Sequence, residues 1–166
     1  SRLFKFLYNI FKCNLTYRHL FSFSGEDTLY APGCARVVLE YKGFRILPMV
    51  CYDLRFPVWS RARSDYDVAV YAASWPQARI GAWDALLRAR AIENQCYVLG
   101  INRVGSDPSA FYDGHSVAVD FFGNVMGRLA EGEAGVIRTE LDHERLDAYR
   151  ERFRAWEDAD RFTLTV

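Results

Sequence analysis

No charge of either sign predominates in this 166-residue chain: Lys plus Arg number 21, and so do Asp plus Glu. Without a net charge it has no general electrostatic grip on a polyanion, so nucleic acid and anionic membrane surfaces are excluded as expected partners. Cysteine is sparse, with Cys13, Cys34, Cys51 and Cys96, and no two stand as C-x-x-C. The histidines His19, His115 and His143 are scattered. Zinc-ligand spacing is therefore missing, and no metal is expected. No apolar run is long enough to span a bilayer. The first twenty residues are aromatic and apolar, but Arg2, Lys5, Lys12 and Arg18 interrupt them. They lack a clean signal-peptide core with a small-residue cleavage site. Nothing points to secretion, so reduced thiols and a cytoplasmic location are the default expectation. Repeats, low-complexity stretches and linkers are also missing, which predicts one domain over residues 1–166.

What is present is material for a core: 51% of residues are hydrophobic and 16% aromatic. A strand is expected over 3–10. Residues 23–33 carry Gly25, Asp27, Pro32 and Gly33 and read as loop. Residues 35–41 and 44–50, split by Lys42-Gly43, read as a hairpin. Residues 67–73 and 96–102 are short apolar runs suited to strands buried on both faces. A short helix is expected over 57–64, with Pro57 at its start. A longer one is expected over 82–95, where Trp83, Leu86, Leu87, Arg90 and Ile92 mark a packed face. Strand–helix–strand–helix–strand order predicts an α/β layered fold. Residues 115–121 and 125–130, joined at Gly123-Asn124, predict a second hairpin. Strand is expected over 135–141, and helix over 142–154 with Asp142 as N-cap.

Cys51 follows the apolar run ILPMV and precedes YDLRFP. A side chain at the junction of a buried strand and a sharp turn is held at the sheet's edge, where α/β folds present reactive groups. The Tyr52 backbone N–H would stand beside it as an oxyanion donor. The alternative is a small buried hydrophobe, the usual role of a free cysteine.

The surrounding words decide between these. GFRILPMVCYDLRFPVWSRA resembles the nucleophile segment of the nitrilase superfamily, the carbon–nitrogen hydrolases, and in particular the omega-amidase branch. DVAVYAASWP, WDALLRARAIENQCYVLGINRVG, YDGHSVAVDFFGNVMG and YRERFRAWEDADRF resemble later segments of that branch, in order, and RHLFSFSGEDTLYAPG an earlier one. The resemblance covers residues 17–166. It implies a four-layer α-β-β-α sandwich, here incomplete at the N-terminus. It also implies homodimers paired through a helical face, and no organic cofactor. The implied reaction is hydrolysis of the ω-amide of a 2-oxo acid, such as 2-oxoglutaramate or 2-oxosuccinamate, through a cysteine thioester with release of ammonia. An inactive fragment serving as a binding module, and a nitrilase or carbamoyl-amide hydrolase of the same superfamily, are the alternatives.

The family's triad is Glu–Lys–Cys. A thiol of intrinsic pKa about 8.5 is mostly protonated at neutral pH, so it needs such a base and cation. The lysine belongs directly before the R-H-L-F words, where this chain has Tyr17. Tyr17 is a genuine substitution, or an Asp-Lys pair is missing between Tyr17 and Arg18; Lys12 is a third candidate at the wrong spacing. The base glutamate is expected upstream, since residues 1–16 contain no Asp or Glu. Glu26 takes the place of a second family glutamate that positions lysine and substrate. Arg55 is expected either to meet a substrate carboxylate or to pair with Asp53 and fix the turn. Trp75 is a pocket wall or an ordinary core aromatic. Glu93 is expected to support the site through a pair with Arg88 or Arg90. His115 reads as a hydrogen-bonding turn residue.

Overall fold

The computed structural model describes residues 19, 25–29, 31–33, 35–62 and 64–163. The strand expected over 3–10, and Lys12, Tyr17 and Arg18, lie outside the described residues. A one-turn helix α1 (Glu26–Leu29) falls where loop was expected. The strands are β1 (Leu39–Tyr41), β2 (Phe44–Val50), β3 (Val68–Ala73), β4 (Tyr97–Asn102), β5 (Val104–Asp107), β6 (Ala110–Asp113), β7 (Val117–Val119) and β8 (Val125–Arg128). The helices that follow α1 are α2 (Pro57–Ser60), α3 (Ile80–Asn94) and α4 (His143–Arg152).

Six strands form one sheet in the order β1-β2-β3-β4-β7-β8, and β5-β6 form a separate hairpin. β2, β3 and β4 run parallel, in registers that place Val50 opposite Ala72 and Ala73 opposite Asn102. The other pairings are antiparallel. This is the mixed α/β fold that the sequence predicts. Alternation along the strands divides the core in two. Leu47, Met49, Ala69, Tyr71 and Val98 face the cluster that holds Trp83, Leu87 and Ala91 of α3. Val68, Val70 and Tyr97 face the other side, where Phe121 and Leu146 of α4 complete a second cluster. Of the four layers that the resemblance implies, the described residues supply one large sheet and the α3 layer, with α4 over part of the opposite face.

α3 packs unusually close to β4. A Cβ on Gly100 would collide with Leu87 Cδ1 and lie 2.9 Å from Trp83 Cζ2. Asp142 caps α4 as expected, its side chain accepting from the Arg145 N–H at 2.9 Å.

Four boundaries differ from expectation. Only residues 39–41 of the first strand pair with β2, because the Arg36 guanidinium reaches the carbonyls of Trp59 and Arg61 and the Asp65 carboxylate, drawing the preceding chain away. α2 lasts one turn, since the chain leaves it extended and the Ala62 N–H donates to Asn94 Oδ1 of α3 at 2.9 Å. Residues 135–141 form no ladder among the described residues. Ile137 is seated where Gly127 has no side chain, a Cβ there lying 2.7 Å from its Cγ2. The second hairpin turns over residues 120–124 rather than on Gly123-Asn124 alone, because Asp120 accepts from the N–H groups of Phe122 and Asn124. Ile92, expected on the packed face of α3, is 47% exposed.

One buried ionic cluster ties the end of the chain to the sheet. The Asp67 carboxylate, fully buried, accepts from Arg45 at 2.7 Å and Arg150 at 2.8 Å, while Arg150 also donates to the carbonyls of Tyr66 and Gln95. Burial alone would raise the Asp67 pKa. The Arg45 and Arg150 hydrogen bonds outweigh it and hold the group at about 2. A depressed folded pKa contributes stability above the unfolded value of about 3.9, lost as pH falls through about 2. Asp67→Ala is expected to cost about 3 kcal/mol in urea denaturation at pH 7 by leaving Arg150 unpaired. The gap between parent and variant should shrink as pH drops from 4 towards 2; a gap that does not change over that range would contradict this reading of the cluster.

Candidate active site

The apolar strand β2 ends at Val50 and the chain turns at once into a 3-10 helix, Cys51–Arg55. Cys51 sits at the corner with φ +37°, in the left-handed region that costs a residue with a Cβ about 1 kcal/mol or more. Its half-buried Sγ lies 3.9 Å from the carbonyl oxygen of Ser74, the residue just past β3. Asp53 holds the corner. Its fully buried carboxylate accepts from the Val50 N–H at 3.1 Å and from the His19 N–H at 2.9 Å, and His19 Nδ1 lies 2.9 Å from the same oxygen. The His19 ring stacks on Phe56 at 3.8 Å. The Cys51–Arg55 turn is thereby tied to a residue 34 positions earlier in the chain.

Arg90 braces the turn from below. It is buried, donates Nη2–H to the Leu54 carbonyl at 2.6 Å, and pairs through Nη1 with Glu93 at 2.9 Å. Glu93 is thus paired with Arg90 and is not among the residues that line the cleft.

A cleft of about 1310 Å³ opens above Cys51. It is lined by Val50, Cys51, Tyr52 and Arg55, by the segment Ala72 to Arg79, and by Ser109 to Tyr112 of the β5–β6 hairpin. Trp75 is both things the sequence left open: 3% exposed in the core, and a lining residue of the cleft. Its indole N–H donates to the Arg79 carbonyl at 2.8 Å.

Arg55 does not pair with Asp53. Residues two apart on a 3-10 turn point to different sides, so Asp53 faces inward to His19 while the Arg55 guanidinium lies 4.9 Å over the Trp75 ring, on the cleft. Glu26 opens α1, and its side chain is outside the described part of the structure. His115 is a turn residue, at φ +60°, beside Asp84 and Asp113. Cys96 shows the contrast with Cys51: full burial pushes its thiol up to about 12, an inert position.

Sequence reasoning missed His19, the β5–β6 hairpin and Asn102. The hairpin had a signal in Asp107-Pro108-Ser109. The Asp107 carboxylate accepts from Ser109 and Ala110 N–H groups and from the Ser109 and Tyr112 hydroxyls, and the Ser109 and Tyr112 bonds hold it below the usual carboxylate range. His19 and Asn102 gave no local signal, because their partners are distant in the chain. Among the described residues no group of three or more His, Cys, Asp or Glu is arranged to hold a metal. No helix of the described residues is long and apolar enough to cross a membrane.

A half-buried cysteine thus stands on a strained strand-end corner over a cleft, with its turn braced from two sides. Residues 14–151 match the family described as carbon-nitrogen hydrolase. The chain belongs to that family. Among relatives of this carbon–nitrogen hydrolase chain, omega-amidase YafV of Yersinia enterocolitica is 53% identical over 148 residues, covering 89% of this chain and 58% of that protein. The 2-oxoglutaramate amidase of Bacillus subtilis is 38% identical over 144 residues, covering 84% and 54%. The crystal structure of a CN-hydrolase superfamily protein from Xanthomonas campestris, with an arsenic adduct in its active site, superposes with a TM-score of 0.85 at 44% identity, covering 90% of this chain and 59% of that one. The chain thus spans somewhat over half the length of the relatives it matches.

Asp53→Ala is expected to destabilise the protein by about 2 kcal/mol, since the partly buried Val50 and His19 N–H groups lose their acceptor. Guanidinium denaturation measures it; a change below about 0.5 kcal/mol would show that the turn holds without the carboxylate.

Proposed function

We propose that the protein is an amidase of the omega-amidase type, releasing ammonia from small ω-amides of 2-oxo acids such as 2-oxoglutaramate and 2-oxosuccinamate. The observation that carries this is the placement of Cys51: its thiol stands at the cleft floor, on a corner fixed by Asp53 and Arg90, in a chain of the carbon–nitrogen hydrolase family. The relatives named omega-amidase YafV and 2-oxoglutaramate amidase supply the substrate class.

In this reading the Cys51 thiol gives its proton to the glutamate that the family resemblance implies. The thiolate attacks the amide carbon, and the Tyr52 backbone N–H with a cation steadies the oxyanion. The C–N bond breaks as the glutamate returns the proton to nitrogen, and ammonia leaves. Water, deprotonated by the same glutamate, then attacks the thioester, giving the dicarboxylate and restoring the thiol. Arg55, held over Trp75, takes the carboxylate of the substrate, and Glu26 helps to position the lysine; neither step needs a metal or organic cofactor. The reading extends to a single-domain homodimer in the cytoplasm. Tyr17, standing where the family has its lysine, favours the second reading, an inactive member that serves as a binding or assembly module.

The full-length protein is expected to release ammonia from 2-oxoglutaramate faster than from nitriles or carbamoyl compounds. Cys51→Ala should abolish that release while shifting Tm by no more than about 2 °C, because the thiol supplies reactivity rather than volume. Ammonia release unchanged in Cys51→Ala would sink the nucleophile assignment, and a full-length protein inert towards every amide would favour the binding module.

A further inference from the structure

We infer that Asn102 is a positioning residue that fixes the two walls of the cleft against one another; the inference rests on the amidase reading for its kinetic consequence and on geometry alone for its structural one. Asn102 ends β4, which pairs with β3 on the side away from β2, so that its end lies at the same end of the sheet as Cys51. Its side chain is almost wholly buried. Every hydrogen bond that the side-chain amide makes is to backbone. Oδ1 accepts the Trp75 N–H at 2.7 Å, and Nδ2 donates to the Trp75 carbonyl at 3.0 Å and to the Gly114 carbonyl at 2.7 Å.

Trp75 belongs to one segment lining the cleft, and Gly114 adjoins the other. Trp75 follows Ser74, whose carbonyl faces the Cys51 thiol, and it carries the ring beneath Arg55. Gly114 directly follows β6, whose residues 110–112 also line the cleft. Gly114 adopts φ +85°, and a Cβ there would lie 2.9 Å from Val104 Cγ1, so the backbone turns tightly just where its carbonyl meets Asn102. Ser116 steadies the clamp in turn: its Oγ accepts the Asn102 N–H at 3.0 Å and donates to the Asn102 carbonyl at 3.1 Å.

The β5–β6 hairpin makes no ladder with the six-stranded sheet. Its registration over the cleft therefore depends on contacts such as this one. Only an amide can both accept from one peptide group and donate to two carbonyls within a single planar side chain. An aspartate of the same shape would set a carboxylate against two carbonyl oxygens and push the walls apart. A substrate held between Trp75 and the hairpin would then bind loosely, although the nucleophile corner, braced by Asp53 and Arg90, is untouched.

The test is Asn102→Asp in the full-length protein, read by amide hydrogen exchange and by steady-state kinetics on 2-oxoglutaramate. Exchange is expected to quicken about tenfold in residues 74–76 and 109–114 but not in α3. KM should rise about tenfold while kcat falls less than about threefold. Unchanged exchange in both wall segments overturns the inference. So does quickened exchange with KM unaltered, which would make Asn102 a merely structural residue, and so does a loss confined to kcat. Should Asn102→Asp fail to fold, Ser116→Ala is judged by the same criteria, with an expected KM rise of about threefold. A parent protein that releases no ammonia refutes the amidase reading instead, and the exchange result then decides the clamp by itself.

Discussion

Three parallel strands ending at one edge are the constraint from which the rest follows. β2, β3 and β4 pair in register, so the residues just beyond or at their ends, Cys51, Ser74 and Asn102, come together although 51 and 102 are far apart in the chain. Parallel pairing requires a crossover between strands, and here the crossovers are the 3-10 turn with α2, and α3. The first carries the thiol and the second carries its brace, Arg90. Fold and candidate site are in that sense one arrangement: the connections that make the sheet parallel are also the elements that build the Cys51 corner.

The close contact of α3 with β4 makes this arrangement stiff. Gly100 lets Leu87 and Trp83 approach the strand backbone, and Trp83 also donates its indole N–H to the His115 carbonyl at 3.0 Å. The helix is therefore fixed to the strand that bears Asn102 and to the turn that follows Gly114. Displacing it would move Arg90, and with it the support under Leu54.

Most of the layered order was legible because it rests on local pattern. The apolar runs at β2, β3 and β4 and the periodicity of α3 are properties of short windows, and Cys51 is marked by the strand-to-turn junction it occupies. What could not be read was long-range. Asp53 faces His19 rather than Arg55, and no spacing rule connects positions 19 and 53. The single turn of α2 ends where Asn94 captures Ala62, and residues 135–141, which form no ladder among the described residues, place Ile137 against Gly127 of β8. Glu93 illustrates the middle case: its pair with Arg90 follows from helix spacing, yet its bearing on the site appears only when Arg90 is seen to reach Leu54.

The left-handed backbone of Cys51 has a consequence for how the molecule could change. A glycine would occupy that corner more comfortably than any other residue, so the fold by itself would be steadier without the cysteine. Selection for a sturdier protein and selection for a well-aimed thiol therefore pull against one another at a single position. Any lineage released from the need for the thiol has a downhill path at residue 51, and glycine there would be the mark of a chain that had taken it.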